Sequence, residues 1–148
     1  MSEKLKKEIF EWIKVFALAI VFAFIITQFI KPTLVRGDSM YSTLEEGDYL
    51  IINRMSYKFK EPEHGDIIVF ESDLKQDDGS SKDLVKRVIG VGGDKVKIEN
   101  NKVYVNDEEL NEPYIHNEIT EGDIDTVVPD GAVFVLGDNR EISLDSRY

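Results

Sequence analysis

The sequence predicts a mostly β, antiparallel and barrel-like domain attached to one N-terminal transmembrane helix. Two observations carry this prediction. The first is a run of sixteen uncharged, mostly apolar residues, 15–30, near the start of the 148-residue chain. The second is a series of short apolar runs after residue 33, several of which alternate with period two between Gly, Asp and Asn. No helix period of convincing length follows residue 31.

The apolar run, extended by Lys31, gives a predicted transmembrane helix over residues 15–31. Sixteen helical residues are about 24 Å long, slightly less than the ~30 Å hydrocarbon core of a bilayer. Lys14 and Lys31 extend the effective span because their long side chains reach the membrane interfaces. Pro32 is expected to end the helix, since proline lacks the backbone N–H that a helix needs.

Two alternatives to a membrane anchor are disfavoured. A buried core helix does not fit a run that is apolar on all sides and has basic flanks. A cleaved signal peptide does not fit either, because Lys31, Pro32 and Leu34 precede the cleavage site and Arg36 would lie inside it. An uncleaved anchor is the favoured interpretation.

Charge divides the chain just after the apolar run. Residues 1–36 carry six Lys/Arg and three Asp/Glu, whereas residues 37–148 carry twelve Lys/Arg and twenty-six Asp/Glu. By the positive-inside rule, the basic segment 1–14 is cytoplasmic and the β-rich domain, residues 33–148, lies outside the cell membrane. Because phosphate contacts need Lys and Arg, the acidic domain is not expected to bind nucleic acid.

Six short apolar runs are predicted strands. Two of them flank the Asn100-Asn101 pair and form a predicted hairpin. The segment 71–83 is polar and contains Gly and Ser, which predicts a mobile surface loop. The predicted strands are residues 48–52, 66–70, 84–91, 95–98, 102–105 and 132–136.

The residue types restrict the chemistry. The chain has no Cys, which excludes a disulfide framework, a thiol nucleophile and thiolate zinc sites. His64 and His116 are the only imidazoles and lack helical metal-site spacing, so a surface or structural role is favoured for each. No metal site and no cofactor are expected.

Ser39 is the first candidate for chemistry. It lies in a Gly- and Asp-containing turn directly after the apolar run, and its small neighbours leave the hydroxyl accessible. Serine is also common in turns and helix caps, so this residue alone does not indicate a nucleophile.

Lys86 and Arg87 are the second candidate, because they interrupt the apolar run 84–91. Neighbouring residues of a strand point to opposite faces, so one of the two must face the packed side unless the strand is wet on both faces. A lysine in apolar surroundings loses hydration, and its pKa falls from about 10.4 toward neutrality. A neutral lysine is a general base. An edge strand with two solvated charges is the alternative.

The segment 136–148 is the third candidate. It directly follows an apolar strand and is dense in charged residues and serines. This density suits a polar shell that holds a catalytic group in place, and a solvated loop is the alternative.

Together these segments resemble the boxes of type I signal peptidases. Residues 37–44, 64–70, 86–94 and 137–147 look like the four boxes, in the family's order and after the expected anchor. The resemblance covers essentially the whole chain and is closest to the compact Gram-positive form. It implies a serine endopeptidase that cuts N-terminal signal peptides from exported preproteins after Ala-X-Ala-type sites. The implied partners are these preproteins and the lipid bilayer.

The resemblance also implies residue roles. Ser39 would be the nucleophile and Lys86 the general base of a Ser/Lys dyad, with the Ser39 N–H as an oxyanion donor. Ser143 would hydrogen-bond and orient the lysine. The polar residues that would hold the site together are Asp145 and Arg147, with Asp138 and Arg140. From their offsets to the dyad, the expected walls of the shallow substrate pockets are Val35, Leu44 and Val85.

Four departures from the family pattern accompany the resemblance. Gly37 stands where some relatives place a serine as a second oxyanion donor. Ser42 replaces a proline and His64 replaces an arginine. The family normally continues past the position of Tyr148 with a glycine and at least one more strand, so a C-terminally truncated domain is expected.

Two other functions share some of these features. A self-cleaving regulator related to the SOS repressors would use the same Ser/Lys chemistry, but it needs a DNA-binding domain in place of the apolar segment. A catalytically inactive, membrane-tethered β-domain that binds cell-surface partners is the alternative from another class. The presence of Ser39, Lys86 and Ser143 disfavours it. The sequence does not indicate an oligomeric state.

Overall fold

The computed structural model describes residues 2–76, 78–115 and 119–148, so His116 lies outside the described residues. Within these ranges one long helix precedes nine strands and one short helix. All the strand pairs are antiparallel, which confirms the predicted fold class. The elements are α1 Glu3–Phe29, β1 Ile30–Leu34, β2 Tyr49–Asn53, α2 Ser56–Phe59, β3 Ile67–Lys75, β4 Ser81–Val91, β5 Lys95–Glu99, β6 Lys102–Val105, β7 Glu108–Glu109, β8 Ile124–Val127 and β9 Val133–Leu136.

Helix α1 contains most of the predicted membrane segment. It has 27 residues, none of them buried, which corresponds to a length of about 40 Å. A window of 18 residues within it has a mean hydropathy of 2.4, so α1 is long and apolar enough to cross a bilayer. The helix begins before the predicted residue 15 and ends at Phe29, two residues earlier than predicted. Lys31 precedes Pro32, a position that disfavours helical backbone, and both residues belong to β1.

The strands form three sheets. One is the pair β1–β2, the second has the order β3-β4-β9, and the third has the order β7-β6-β5-β8. The predicted hairpin is confirmed, because β5 and β6 pair through a turn at Asn100 and Asn101, whose φ values are 51° and 64°. Two positive φ values are typical of the tight turns that join twisted hairpin strands.

The predicted loop over residues 71–83 is wrong in extent. Strand β3 continues to Lys75 and β4 begins at Ser81, so most of the segment is a hairpin. Glu71 pairs with Asp83 and Lys75 with Ser81, with a register shift between these two pairs. This hairpin is largely exposed on both faces. Its residues are therefore polar, and their composition resembles that of a loop.

Strand β4 has apolar neighbours on both faces. Ile89 belongs to a core cluster with Val96, Ile98, Val103, Val128, Phe134 and Leu136. The preceding residue, Val88, packs on the other side in a second cluster with Ile68 and Val135. Because side chains alternate along a strand, residues 86 and 87 also face two different packed regions.

Candidate active site

Ser39 lies in the loop that joins β1 to β2. The base of this loop is closed by two backbone hydrogen bonds, from the Val35 N–H to the Asp48 carbonyl (2.9 Å) and from the Gly47 N–H to the Val35 carbonyl (3.0 Å). Met40, directly after the serine, is only 1% exposed and anchors the loop in the interior. Ser39 itself is half-buried, so its hydroxyl is held by a packed backbone and still reaches the surface.

Lys86 on β4 reaches this hydroxyl. Its Nζ donates to Ser39 Oγ at 2.7 Å, although the two residues are 47 positions apart in the chain. Lys86 is 2% exposed, and no carboxylate lies within ion-pair distance of it among the described residues. Burial lowers the pKa of Lys86, while the charges of Asp145 and Asp138 act in the opposite direction and that of Lys82 adds to the lowering.

Arg87 points to the other side of β4 and is fully paired. Its Nε and Nη2 donate to the two oxygens of Asp138 at 2.8 and 2.6 Å, and its Nη1 donates to the Gly65 carbonyl at 3.1 Å. Thr43 Oγ1 donates to Asp138 at 2.5 Å, and the Arg87 guanidinium stacks 3.9 Å from the centre of the Tyr114 ring. The hydrogen bonds to Asp138 raise the pKa of Arg87.

The expected supporting residues after β9 form one hydrogen-bonded loop. Arg147 donates to both oxygens of Asp145, at 2.8 and 3.1 Å, and Asp145 accepts from the Gly137 N–H at 3.1 Å. Arg147 also donates to the carbonyls of Arg140 (2.7 Å) and Ser143 (3.2 Å). The Asp145–Arg147 ion pair is therefore hydrogen-bonded to backbone groups at residues 137, 140 and 143, and these contacts together hold the loop.

This loop packs directly against the backbone of Ser39. The Asn139 N–H donates to the Ser39 carbonyl at 3.1 Å. Gly137 approaches the same carbonyl so closely that a Cβ at this position would overlap both it and Ser143 Oγ. Gly137 is therefore required for close approach, and the carbonyl of the candidate nucleophile rests on the loop.

Ser143 lies beside this contact, but the hydrogen bond expected with Lys86 is not formed. Ser143 is 4% exposed, and its Oγ has no hydrogen-bond partner among the described residues. Its N–H donates to the Asn139 carbonyl at 3.1 Å, which places its backbone in the same loop. The orienting role of Ser143 stays a prediction.

A groove of about 560 Å³ opens beside the Ser39–Lys86 pair. Val35 and Val85 line it, whereas Leu44, the third expected pocket wall, is not among its lining residues. The role of Val35 and Val85 in substrate binding stays a prediction. The chain turns back after Ser39, with the Leu44 N–H bonded to the Met40 carbonyl at 2.9 Å, which removes Leu44 from the groove. The other apolar lining residues are Leu34, Leu50, Val69, Leu74, Leu84, Ile142 and Leu144.

His64 does not take part in the Ser39–Lys86 pair. Its Nε2 lies 2.6 Å from an oxygen of Asp94, which also accepts from the Val91 N–H (2.8 Å) and the Asn106 amide (2.7 Å). This contact ties the segment before β3 to the turn between β4 and β5. The geometry fits the structural role expected of His64.

Sequence reasoning missed several polar residues that surround the predicted ones. Thr43 bonds Asp138, Tyr114 stacks on Arg87, and Glu112 pairs with Arg140. Arg140 also donates to the Thr120 hydroxyl. Glu112 and Tyr114 lie in a polar stretch without periodicity, and no local signal in the sequence connects them with residues 87 and 140.

Comparisons with known proteins identify the family. The profile of the family described as signal peptidase, peptidase S26, matches residues 9–148. Signal peptidase IB of Staphylococcus aureus strain COL is 41% identical over 162 aligned residues, which cover 97% of this chain and 82% of the relative. Signal peptidase I of Bacillus licheniformis is 36% identical over 157 residues, which cover 99% of this chain and 82% of that relative. A crystal structure of a signal peptidase I from Enterococcus faecalis V583 superposes with a TM-score of 0.49 and 34% identity, covering 60% of this chain and 86% of that one.

Proposed function

Because the chain belongs to the signal peptidase, peptidase S26, family of serine endopeptidases, we propose that it cleaves signal peptides with Ser39 as nucleophile and Lys86 as general base. The single observation that carries the assignment is the 2.7 Å contact between Lys86 Nζ and Ser39 Oγ. The lysine is buried without a paired carboxylate among the residues described. A nucleophile in hydrogen-bond contact with a base of lowered pKa is the arrangement that nucleophilic catalysis needs.

The reaction follows from the protonation state of Lys86. In its neutral form Lys86 Nζ accepts the Ser39 hydroxyl proton while Oγ attacks the scissile carbonyl carbon. The peptide C–N bond then breaks, and the Lys86 ammonium returns the proton to the leaving amine. Water attacks the carbonyl carbon of the resulting ester while Lys86 takes one of its protons. The bond between this carbon and Ser39 Oγ then breaks, and Lys86 gives the proton to Ser39 Oγ. The signal peptide leaves as a carboxylic acid, which ionises in solution.

The oxyanion that develops in both steps needs donors at the Ser39 loop. We assign one of them to the Ser39 backbone N–H. Gly37 has no side chain to supply a second. Backbone hydrogen bonds support this assignment, because they restrain the peptides on both sides of the serine. The Asn139 N–H donates to the Ser39 carbonyl, and the Tyr41 N–H donates at 3.1 Å to the Asp38 carbonyl, which belongs to the same peptide as the Ser39 N–H.

The groove supports a substrate with small residues before the scissile bond. Val35 and Val85 are β-branched and short, so the walls beside the dyad leave shallow apolar space. An extended peptide places alternate side chains on the same face, so the first and third residues before the cut would face the walls together. This geometry fits the Ala-X-Ala pattern.

The family is anchored in membranes, and we assign the anchor to α1 with the basic N-terminus in the cytoplasm. The lysines before the apolar run support this orientation. Residues 33–148 then form an extracytoplasmic catalytic domain at the cell membrane. A tether holds Ser39 close to the bilayer, where a signal peptide leaves it, and this raises the effective concentration of the substrate.

Cleavage of a secretory preprotein by the detergent-solubilised chain tests the proposal. Ser39→Ala is expected to abolish cleavage while the circular dichroism spectrum and the melting temperature stay unchanged. Ser42→Ala, in the same loop and equally conservative, is the control and should retain activity. Wild-type cleavage by the Ser39→Ala variant would remove the dyad from the proposal.

The site preference and the topology each have a separate measurement. Mass spectrometry of the product should place the new N-terminus directly after a small residue, and a Leu at that position should block cleavage. Protease added to intact cells should digest residues 33–148 and leave the N-terminal segment protected. Cleavage after large residues, or an inaccessible β-domain, would contradict these assignments.

A further inference from the structure

We propose that Glu112 and Tyr114 are positioning residues for the Ser39 nucleophile, acting through Arg140, Arg87 and Asp138. The two residues lie between β7 and β8, outside every segment that resembles a family box. They do not line the groove, and among the described residues neither has a hydrogen bond or ion pair to Ser39 or Lys86. The inference rests on the proposed dyad and adds the part of the fold that holds it.

The first contact is the ion pair between Glu112 and Arg140. Arg140 Nη1 donates to Glu112 Oε2 at 2.9 Å, and Nη2 donates to Oε1. The two side chains are only 2% and 6% exposed. A guanidinium group cannot lose its charge, so at this depth it needs the carboxylate for neutralisation. With Glu112 in place, Arg140 Nε donates to the Gly137 carbonyl at 2.9 Å.

The second contact is the Tyr114 ring beneath Arg87. The guanidinium carbon lies 3.9 Å from the ring centre, which is close enough for a cation–π interaction. The Tyr114 hydroxyl donates to Glu112 Oε1 at 3.1 Å, so the two residues form one unit. Burial, assisted by the Glu112 charge, raises the pKa of Tyr114, which keeps the hydroxyl a donor. The ring restricts Arg87, whose guanidinium holds both oxygens of Asp138.

The two contacts converge on consecutive residues. Arg140 holds the Gly137 carbonyl and Arg87 holds the Asp138 carboxylate, so the Gly137-Asp138 peptide is restrained from both sides. Gly137 packs on the Ser39 carbonyl, and Asp138 accepts from Thr43 in the nucleophile loop. Displacement of this peptide therefore moves the backbone that carries the nucleophile.

Kinetic measurements distinguish a positioning role of Glu112 and Tyr114 from a role in fold stability alone. Loss of a positioning contact should lower kcat, because Ser39 no longer meets the carbonyl carbon at the right distance and angle. KM should stay unchanged because Val35 and Val85 still form the groove. A residue that only stabilises the fold would lower the melting temperature and leave the kcat of the folded fraction at its wild-type value.

The experiment uses the full chain in detergent with a secretory preprotein, at a temperature where circular dichroism shows each variant folded. Glu112→Gln keeps the shape of the side chain and removes its charge. We expect kcat to fall about tenfold or more with KM unchanged. Glu109→Gln is the matched control, because it removes the same charge from an exposed pair with Lys102 (2.7 Å) and should retain wild-type kcat.

Three further variants keep the test decisive if Glu112→Gln does not fold. Glu112→Asp retains the charge and should recover most of kcat. Tyr114→Leu removes the ring from Arg87 and should lower kcat several-fold, whereas Tyr114→Phe keeps the ring and should lower it less. Wild-type kcat in folded Glu112→Gln or Tyr114→Leu, or an equal loss in Glu109→Gln, would overturn the inference.

Failure of the inference is distinguishable from failure of the proposed function. If Ser39→Ala abolishes cleavage while folded Glu112→Gln has wild-type kcat, the dyad stands and only the positioning role is lost. If Ser39→Ala cleaves like the wild type, the dyad itself is wrong.

Discussion

Lys86 and Arg87 are neighbours on β4, yet their electrostatic environments are opposite. Lys86 is 2% exposed, contacts the Ser39 hydroxyl and has no ion-pair partner among the residues described. The Arg87 side chain is 12% exposed and is bound through two nitrogens to the fully buried Asp138. Burial lowers the pKa of the lysine, whereas the carboxylate raises that of the arginine.

The difference follows from what each side chain can do when water is removed. A lysine can lose its proton, so it tolerates a site without a counter-charge and becomes a base there. An arginine stays charged and needs a carboxylate at the same depth. The position of Asp138 therefore separates a candidate catalytic base on one face of β4 from a structural cation on the other.

Replacement of Lys86 should give the largest effect on activity. We expect Lys86→Met to lower kcat/KM by at least about a thousandfold, because the proton acceptor at Ser39 is gone. The domain should stay folded and melt at the same or a higher temperature, since a buried amine without a counter-charge is replaced by an apolar group. Preprotein cleavage and thermal unfolding measure the two effects, and residual wild-type activity would contradict the assignment.

The corresponding substitution of Arg87, on the other face of β4, should mainly lower the stability of the domain. Arg87→Met leaves the Asp138 carboxylate buried without its guanidinium partner, and breaking such a pair costs about 3–5 kcal/mol. Chemical denaturation should show this loss in the free energy of unfolding. The double variant that adds Asp138→Leu should recover part of it, because no unpaired charge remains. Equal stability of Arg87→Met and Lys86→Met would refute the comparison.

The pH dependence of the wild-type protein should distinguish Lys86, which can lose its proton, from Arg87, which stays charged. Because Lys86 must be neutral to act as base, log(kcat) should rise by about one per pH unit below its lowered pKa and level off above it. Between that pKa and the ordinary lysine value, the unfolded chain binds the Lys86 proton and the folded chain does not. The Lys86 contribution to the free energy of unfolding should therefore increase with pH in this window.

Rate measurements from pH 6 to 10 and denaturation over the same range provide the data. Lys86→Met is the control for stability, because it should lack the increase assigned to this residue. A flat rate profile would argue against a lysine base.

The sequence was sufficient for the fold class and most strands. Period-two runs bounded by turn residues predict strands because burial on one face imposes that period. The two charges within the apolar strand did not decide between Lys86 and Arg87, and the resemblance to type I signal peptidases named Ser39 and Lys86, whose catalytic roles stay predictions. The hairpin over residues 71–83 was missed because it extends the packed part of β3 and β4 into solvent, where its polar residues give no strand pattern.

The environment of the dyad could not be predicted from local pattern. The ion pair between Arg87 and Asp138 joins residues 51 positions apart in the sequence, and the pair between Glu112 and Arg140 joins residues 28 positions apart. No period or turn signal encodes such a contact, since it depends on how the sheets pack. Leu44 was assigned to the groove from its offset to Ser39, and the turn after Met40 removes it.

Ser143 provides the smallest of the expected effects and tests how Lys86 is oriented. Its hydroxyl is buried beside Gly137 and unpaired among the residues described, although a buried hydroxyl gains stability from a partner. If this hydroxyl hydrogen-bonds Lys86 during the reaction, Ser143→Ala should lower kcat about tenfold, the value of one hydrogen bond. Ser143→Thr, which keeps the hydroxyl, should lose less if the extra methyl fits. If Ser143→Ala changes only the melting temperature, the hydroxyl serves packing and the orientation of Lys86 depends on burial and Ser39 alone.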